Sequence, residues 1–284
     1  MTFAKRRIDA TITLGEGQFG EDKGKDVTLT GLRMRASVVT YTGEAQGALQ
    51  LRVFGLPLDM INRLTRVSVI QNQLRPNSIL LAAGTDESMS TVYMGQIYTA
   101  FGELQSQPEA ALNMVAQAGA IDAVKPVGAL SYVGAADAVD IMADLAKSMG
   151  YSFESNGVSV KLSNPYFPGT ALDQVKSCAR AANIYYTIER GVLAIWPKTQ
   201  YRTADPIEIS AATGMVGYPA FSADGLILRT EFNPNVQLGG RVSVKSELTV
   251  ANGIWVILSI AHELESETPD GKWLTEIKCG RFEA

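Results

Sequence analysis

Apolar and polar residues alternate with a period of two through most of residues 1–105. The apolar set runs Ile8, Ala10, Ile12, Leu14, then Val27, Leu29, Leu32, Met34, Ala36, Val38, then Leu49, Leu51, Val53. Successive side chains of a strand point to opposite faces, so this alternation predicts strands with one face buried. Glycines punctuate them at Gly15, Gly17, Gly20, Gly24, Gly43, Gly47 and Gly84, where turns are expected. One segment breaks the pattern: after Pro57, the residues Met60, Ile61 and Leu64 share a helical face, and Pro57 suits a first turn. Residues 78–85 and 90–105 return to strand. Short strands with glycine turns and one helix predict a small antiparallel barrel or sandwich.

Residues 106–126 change character and read as a helix or as a loop with helical turns, within a connector assigned to 106–135. The clearest internal signal follows, a repeat spaced by about 33 residues, because Val139 falls on Leu172, Met142 on Val175, Leu145 on Cys178, Ala146 on Ala179 and Met149 on Ala182. Each copy has apolar residues at helical spacing and a candidate N-cap, Asp137 or Thr170. Each then alternates (Tyr151, Phe153; Ile184, Tyr186), turns at Gly157 or Gly191, and alternates again (Val158, Val160, Leu162; Val192, Ala194, Trp196). The expectation is a helix followed by a β-hairpin, twice. One such unit cannot cover its own apolar face, so the two are expected to pack together. Residues 205–284 are strand-rich again, with hairpin chemistry at Asp270-Gly271. The predicted fold is α+β and mostly β. Two small β-barrel domains (1–105 and 205–284) flank a connector (106–135) and a pair of αββ repeat units (136–204).

The 284 residues are 46% hydrophobic and 19% charged, ample for a packed core. A net charge of −4, with no basic cluster beyond Lys5-Arg6-Arg7, argues against nucleic acid as the main partner. No signal peptide is expected, since Ile8, Ala10, Ile12 and Leu14 alternate with polar residues. No run approaches the roughly 20 apolar residues of a membrane helix, so no membrane partner is expected for the free chain. Cys178 and Cys279 lie about 100 residues apart, and reduced, buried thiols are favoured over a disulfide. Cytosolic synthesis fits.

Candidate chemistry is sparse. His262 is the only histidine, and neither cysteine stands at ligand spacing, so no metal site is predicted. His262 is read on a strand, facing away from Ile260 and Leu264 or close to the strand end. A triad is disfavoured because no serine sits in a G-x-S-x-G elbow. Glu263, Glu265 and Glu267 alternate on one strand face. Paired carboxylates can hydrolyse glycosides, but a row of glutamates on one face is more often the wet face. Asp137, Asp140 and Asp144 read likewise as an exposed acidic side. Gly15, Gly17 and Gly20 match G-x-G-x-x-G in form, but charged residues and a strand follow instead of a helix, so no dinucleotide site is expected. No catalytic residue and no cofactor is predicted. Tyr166 and Phe167, in Asn-Pro-Tyr-Phe-Pro, are candidate interface anchors or a loop plug over the core. Asn233 and Pro234 start a turn and complete the candidate interface set.

An ordered set of pieces in the C-terminal half resembles the baseplate hub proteins of bacteriophage tails. Thr213, Gly214, Gly217 and Pro219 open it, and a strand leads to the Asn233-Pro234 turn. Gly239-Gly240 then precede a strand, and an Asn252-Gly253 hairpin follows. His262, Asp270-Gly271, Trp273 and Thr275 close the set. Each piece alone is turn chemistry; their order carries the resemblance. The resemblance implies a trimeric ring at the tail tip, in which two barrels from each of three chains match a sixfold tube to a threefold spike. It implies as partners further copies of the chain, the tail tube or distal tail proteins, the central spike protein and other baseplate proteins. The implied location is the virion, after synthesis in the host cytoplasm. No fused lytic segment is expected, so wall cleavage would belong to another protein.

Three other readings compete. A cell-wall or carbohydrate-binding module would use Tyr151, Tyr185 and Tyr186, although these alternate like core residues. A hydrolase would use Glu263 or Glu265. The third is the hub of a secretion or pyocin particle.

Overall fold

The computed structural model describes residues 5–19, 24–65, 76–105, 109–223 and 225–281. The fold is mostly β within an α+β class, with 49% of the described residues in strand and 14% in helix. The chain divides into two units, each assembled from separated stretches. One holds residues 1–39, 47–121 and 262–274; the other holds 40–46, 122–261 and 275–284.

The first unit is built from β1 (Arg6–Thr13), β2 (Asp26–Leu29), β3 (Met34–Tyr41), β4 (Ala48–Phe54), helix α1 (Leu58–Leu64), β5 (Ser78–Thr85), β6 (Met89–Glu103) and β7 (Ala111–Gln117). The strands pair in the order β2-β1-β5-β6-β7-β4-β3. Alternation decides the faces as the pattern predicts: Ile8, Ala10, Ile12, Met34, Ala36, Leu49, Leu51 and Val53 are all buried. Fully burying each large aliphatic side chain contributes about 1.5–3 kcal/mol against leaving it in water. Bulges interrupt the ladder between Leu81 and Ala82 and between Ile97 and Thr99; the second adds Tyr98, which is exposed. Helix α1 forms as expected, with Pro57 as its N-cap and Ile61 and Leu64 buried. Two expectations change. Residues 111–117, read as helix or loop, are strand β7, whose Leu112, Met114 and Ala116 enter the core between β4 and β6. The strand path is also open among the described residues, since β2 pairs only with β1. A closed barrel is therefore not what the pairing gives.

The second unit contains two hydrophobic clusters. Helices α2 (Ala138–Met149) and α3 (Ala171–Ala182) carry the first. Both N-caps form: Asp137 accepts from the Val139 amide, and Thr170 makes a capping box with Asp173. Both helices end on a left-handed residue, Gly150 at φ +78 and Asn183 at φ +54. The aligned pairs Met142/Val175, Leu145/Cys178 and Ala146/Ala179 are buried in one cluster.

The second copy of the repeat is a helix plus hairpin, β13 (Ile184–Glu189) with β14 (Val192–Pro197). The first copy is not. Its β10 (Ser152–Ser155) pairs in parallel with β14, and its second segment, β11 (Lys161–Ser163), pairs with β9 (Ala135–Asp137). The Asn156 amide continues the parallel ladder to the Ile195 carbonyl at 2.9 Å, and Gly157 at φ +71 then turns the chain away. Two short ribbons result, β9/β11 and β8 (Leu130–Ser131) with β12 (Tyr166–Phe167).

The C-terminal strands form the other cluster. They are β15 (Ile207–Ser210), β16 (Ala220–Ser222), β17 (Gly225–Glu231), β18 (Arg241–Lys245), β19 (Gly253–Ser266) and β20 (Trp273–Gly280). In this unit the order is β16-β17-β20-β19-β18-β15, and β15 runs parallel to β18. The path is open at β16 and β15 among the described residues, so the second barrel is likewise not closed.

Candidate functional site

Glu263 and Glu265 lie near the end of the long strand β19, and Glu267 follows it. Glu263 and Glu265 are half-buried, not simply wet. The Ser37 hydroxyl donates to Glu263 at 2.7 Å, and Arg35 lies 3.7 Å from Glu265. Glu267 sits beyond the strand end at φ +50 and pairs with Lys5 at 2.6 Å. An open groove of about 320 Å³ runs beside Glu263 and Glu265, lined also by Arg35, Arg52, Asn113 and Phe101. Arg52 and Asn113 both donate to Glu103, at 2.8 and 3.3 Å. Arg33, Arg35 and Arg52 gather round the Phe54 ring at 4.3, 5.8 and 5.1 Å from its centre. Here the two carboxylates are joined to one neighbouring strand, β3, by a hydroxyl and a guanidinium, as cross-strand links.

His262 is buried on the same face as Ile260 and Leu264, opposite to expectation. Residues two apart on a strand share a face, so positions 260, 262 and 264 cannot diverge on a regular strand. The glycine loop joins strands as expected: Gly15 donates to Asn77 at 3.0 Å, Gly17 takes φ +79, and β2 follows. Gly20 lies outside the described residues. Cys178 and Cys279 are free and buried, and burial pushes both thiols up to about 12. Among the described residues no group of three or more His, Cys, Asp or Glu could hold a metal ion. No helix among them is long and apolar enough to cross a membrane.

The four candidate interface residues have different surroundings. In ribbon β8/β12, alternation separates neighbours: Tyr166 is 62% exposed and Phe167 is 6% exposed, packed into the helical cluster. Val133, between β8 and β9, is 99% exposed. Asn233 makes a turn in which its side chain accepts from the Asn235 amide at 3.0 Å, while its own amide donates to the Thr275 hydroxyl at 3.1 Å. The Pro234 carbonyl accepts from Arg190 at 2.7 Å.

Sequence reasoning missed Arg202, which is 4% exposed. Its guanidinium donates to both Glu154 oxygens, with Nε at 2.9 Å, and its Nη1 donates to the Leu238 carbonyl at 3.4 Å. The Asn156 side chain also donates to Glu154, at 2.8 Å. These bonds hold the Glu154 carboxyl below the usual range even though burial pushes it the other way. An arginine in the polar run Lys198–Asp205 carries no sequence signal for burial.

A search of curated protein sequences gives no match. The family model for baseplate hub gp41 matches residues 7–276. Among solved structures, a tail protein from Neisseria meningitidis MC58 aligns with a TM-score of 0.66 at 11% identity, over 96% of this chain and 96% of that one. The 43 kDa tail protein of prophage MuSo2 from Shewanella oneidensis gives 0.60 at 11% identity, again over 96% of each chain. The E. coli c3393 protein is described as a type VI secretion component similar to T4 tail proteins gp27 and gp5. It gives 0.56 at 10% identity, over 88% of this chain and 74% of that one. At these identities the structural likeness is one of fold. The family match spans β1 to β20, and the chain belongs to the baseplate hub gp41 family, as a structural protein of the phage tail baseplate.

Proposed function

We propose that the chain forms a homotrimeric ring at the tail tip, joining the tail tube or distal tail proteins to the central spike. The observation that supports this best is the reach of the family match, residues 7–276, which takes in the whole fold rather than an attached module. Two β-rich units per chain give six in a trimer, and each would act as one barrel-like block facing a sixfold tube. The parts drawn from the sequence then divide the work. Residues 1–105 and 205–284 build the ring, 106–135 connects them, and 136–204 faces other baseplate proteins. Tyr166 is the contact residue of that region, with Phe167 anchoring its ribbon, while Asn233 and Pro234 form a second contact loop. The chain works without catalysis, in the virion, after synthesis in the host cytoplasm. Ring interfaces are heterologous and close by rotation.

Light scattering on a sizing column tests this. A mass near three times the 30.5 kDa chain is expected. A single-chain mass at every concentration, with and without the spike protein, overturns it. A second reading, the hub of a secretion particle, is favoured by the likeness to the E. coli secretion component. A Francisella PdpA-VgrG complex also aligns, with a TM-score of 0.55 at 6% identity over 98% of this chain and 58% of that one. Mass spectrometry of particles from the producing cell separates the two, since only the first puts the chain in DNA-filled virions.

A further inference from the structure

The second unit contains two hydrophobic clusters that share no residue. One includes Ile141, Leu145, Val175 and Ile195; the other includes Ile209, Leu228, Ile257 and Ile277. Much of what joins them is polar. Arg202 donates to Glu154 of β10 on one side and to the Leu238 carbonyl on the other, and its amide donates to the Gly239 carbonyl at 2.9 Å. Thr203 donates to the Asn156 side chain through its amide at 3.1 Å and its hydroxyl at 3.0 Å. Arg190, at the β13–β14 turn with φ +51, donates to the carbonyls of Pro234 and Val236 at 2.7 and 3.3 Å. One apolar contact at this junction is Trp196 against Gly239. Two arginines and one indole thus grip the loop between β17 and β18. The strap Lys198–Asp205, most of it exposed, is the covalent link from β14 towards β15.

We propose that Arg202 and Arg190 form a clasp between the helix-bearing module, residues 122–197, and the C-terminal strands. When the clasp opens, the module swings away as a body on the strap. The two clusters share no residue, so opening exposes the hydrogen-bonding groups of the clasp and, with them, the Trp196 indole. Polar junctions between separately packed bodies behave like transient interfaces, and a short loop absorbs the hinge change. A buried ion pair adds little net stability over an apolar contact but fixes one arrangement, and it weakens sharply when one partner is removed. This inference stands apart from the ring reading and needs no second chain.

Hydrogen exchange followed by mass spectrometry on the full chain tests it, comparing the parent with Arg202→Gln and Glu154→Gln. The expected result is exchange about tenfold faster or more in 198–205 and 234–240, with α3 and 257–260 unchanged. Exchange that rises in both clusters together overturns the proposal, because the unit then opens as one body. So does exchange that rises nowhere. If Arg202→Gln does not fold, Glu154→Gln decides, since it keeps the side-chain size at a partly exposed position. Failure of both to fold overturns the proposal too, because a clasp between independent clusters is not needed for folding.

Discussion

Gly239→Ala isolates one close approach in the second unit. Gly239 takes φ +74, and a Cβ there would stand 2.4 Å from Cζ2 and 2.6 Å from Cε2 of Trp196. The indole is 1% exposed, so it has no solvent to retreat into. Left-handed backbone costs a non-glycine residue about 1–2 kcal/mol. Overpacking a filled site adds about 1–3 kcal/mol, for a total of about 2–5 kcal/mol. Gly217→Ala is the matched control: it lies in the same unit at φ +73, with nothing within 4 Å of the added carbon. It should lose only the backbone part, about 1–2 kcal/mol. Urea unfolding followed by tryptophan fluorescence measures both, with the slope against denaturant unchanged if only stability moves. Equal losses for the two variants would refute the contact argument and leave backbone strain as the whole effect.

Three further predictions concern single groups. Thr170→Ala should cost about 1 kcal/mol, read as a lower urea midpoint, because it removes the hydroxyl half of the α3 capping box. The Thr170 hydroxyl and amide hold the Asp173 carboxyl below the ordinary aspartate value. The stability this link contributes is therefore complete above the ordinary aspartate value and is lost as the pH falls through the lowered one; an acid titration in which parent and Thr170→Val lose stability in parallel would exclude the link. Cys178 and Cys279, with thiols pushed up to about 12, should resist a maleimide at pH 8 in the native chain and both react once it is denatured. Rapid native labelling of either would contradict its burial.

The local part of the fold was legible. Period-two runs gave β1, β3, β4, β5 and β6, and Met142/Val175 with Leu145/Cys178 gave the helical repeat, because side-chain direction repeats with backbone geometry. Asp137 and Thr170 were readable as caps since an N-cap needs only its own helix. The site was less legible. Tyr166 and Phe167 look alike in sequence, yet ribbon pairing sends one out and one into the core. Asn233 and Pro234 are legible as a turn, but the donation from Arg190, 44 residues earlier in the chain, to the Pro234 carbonyl is not.

By itself the sequence determined most of the segments that extend or coil, residues 111–117 excepted, where the helices cap, and, through the order of its turn residues, a resemblance to the hub family. Tertiary structure alone decided partners. Residues 152–155 could close a hairpin with 161–163 or add to β14, and the two choices have the same local pattern. The parallel ladder won because the Asn156 amide reaches Ile195 while Gly157 diverts the chain. The same holds for Arg202: whether a guanidinium in a polar strap is solvated or buried depends on Glu154 and Leu238 arriving from distant positions. Periodicity is written in neighbouring residues, whereas strand pairing and charge pairing are settled by groups far apart in the chain, which only folding brings together.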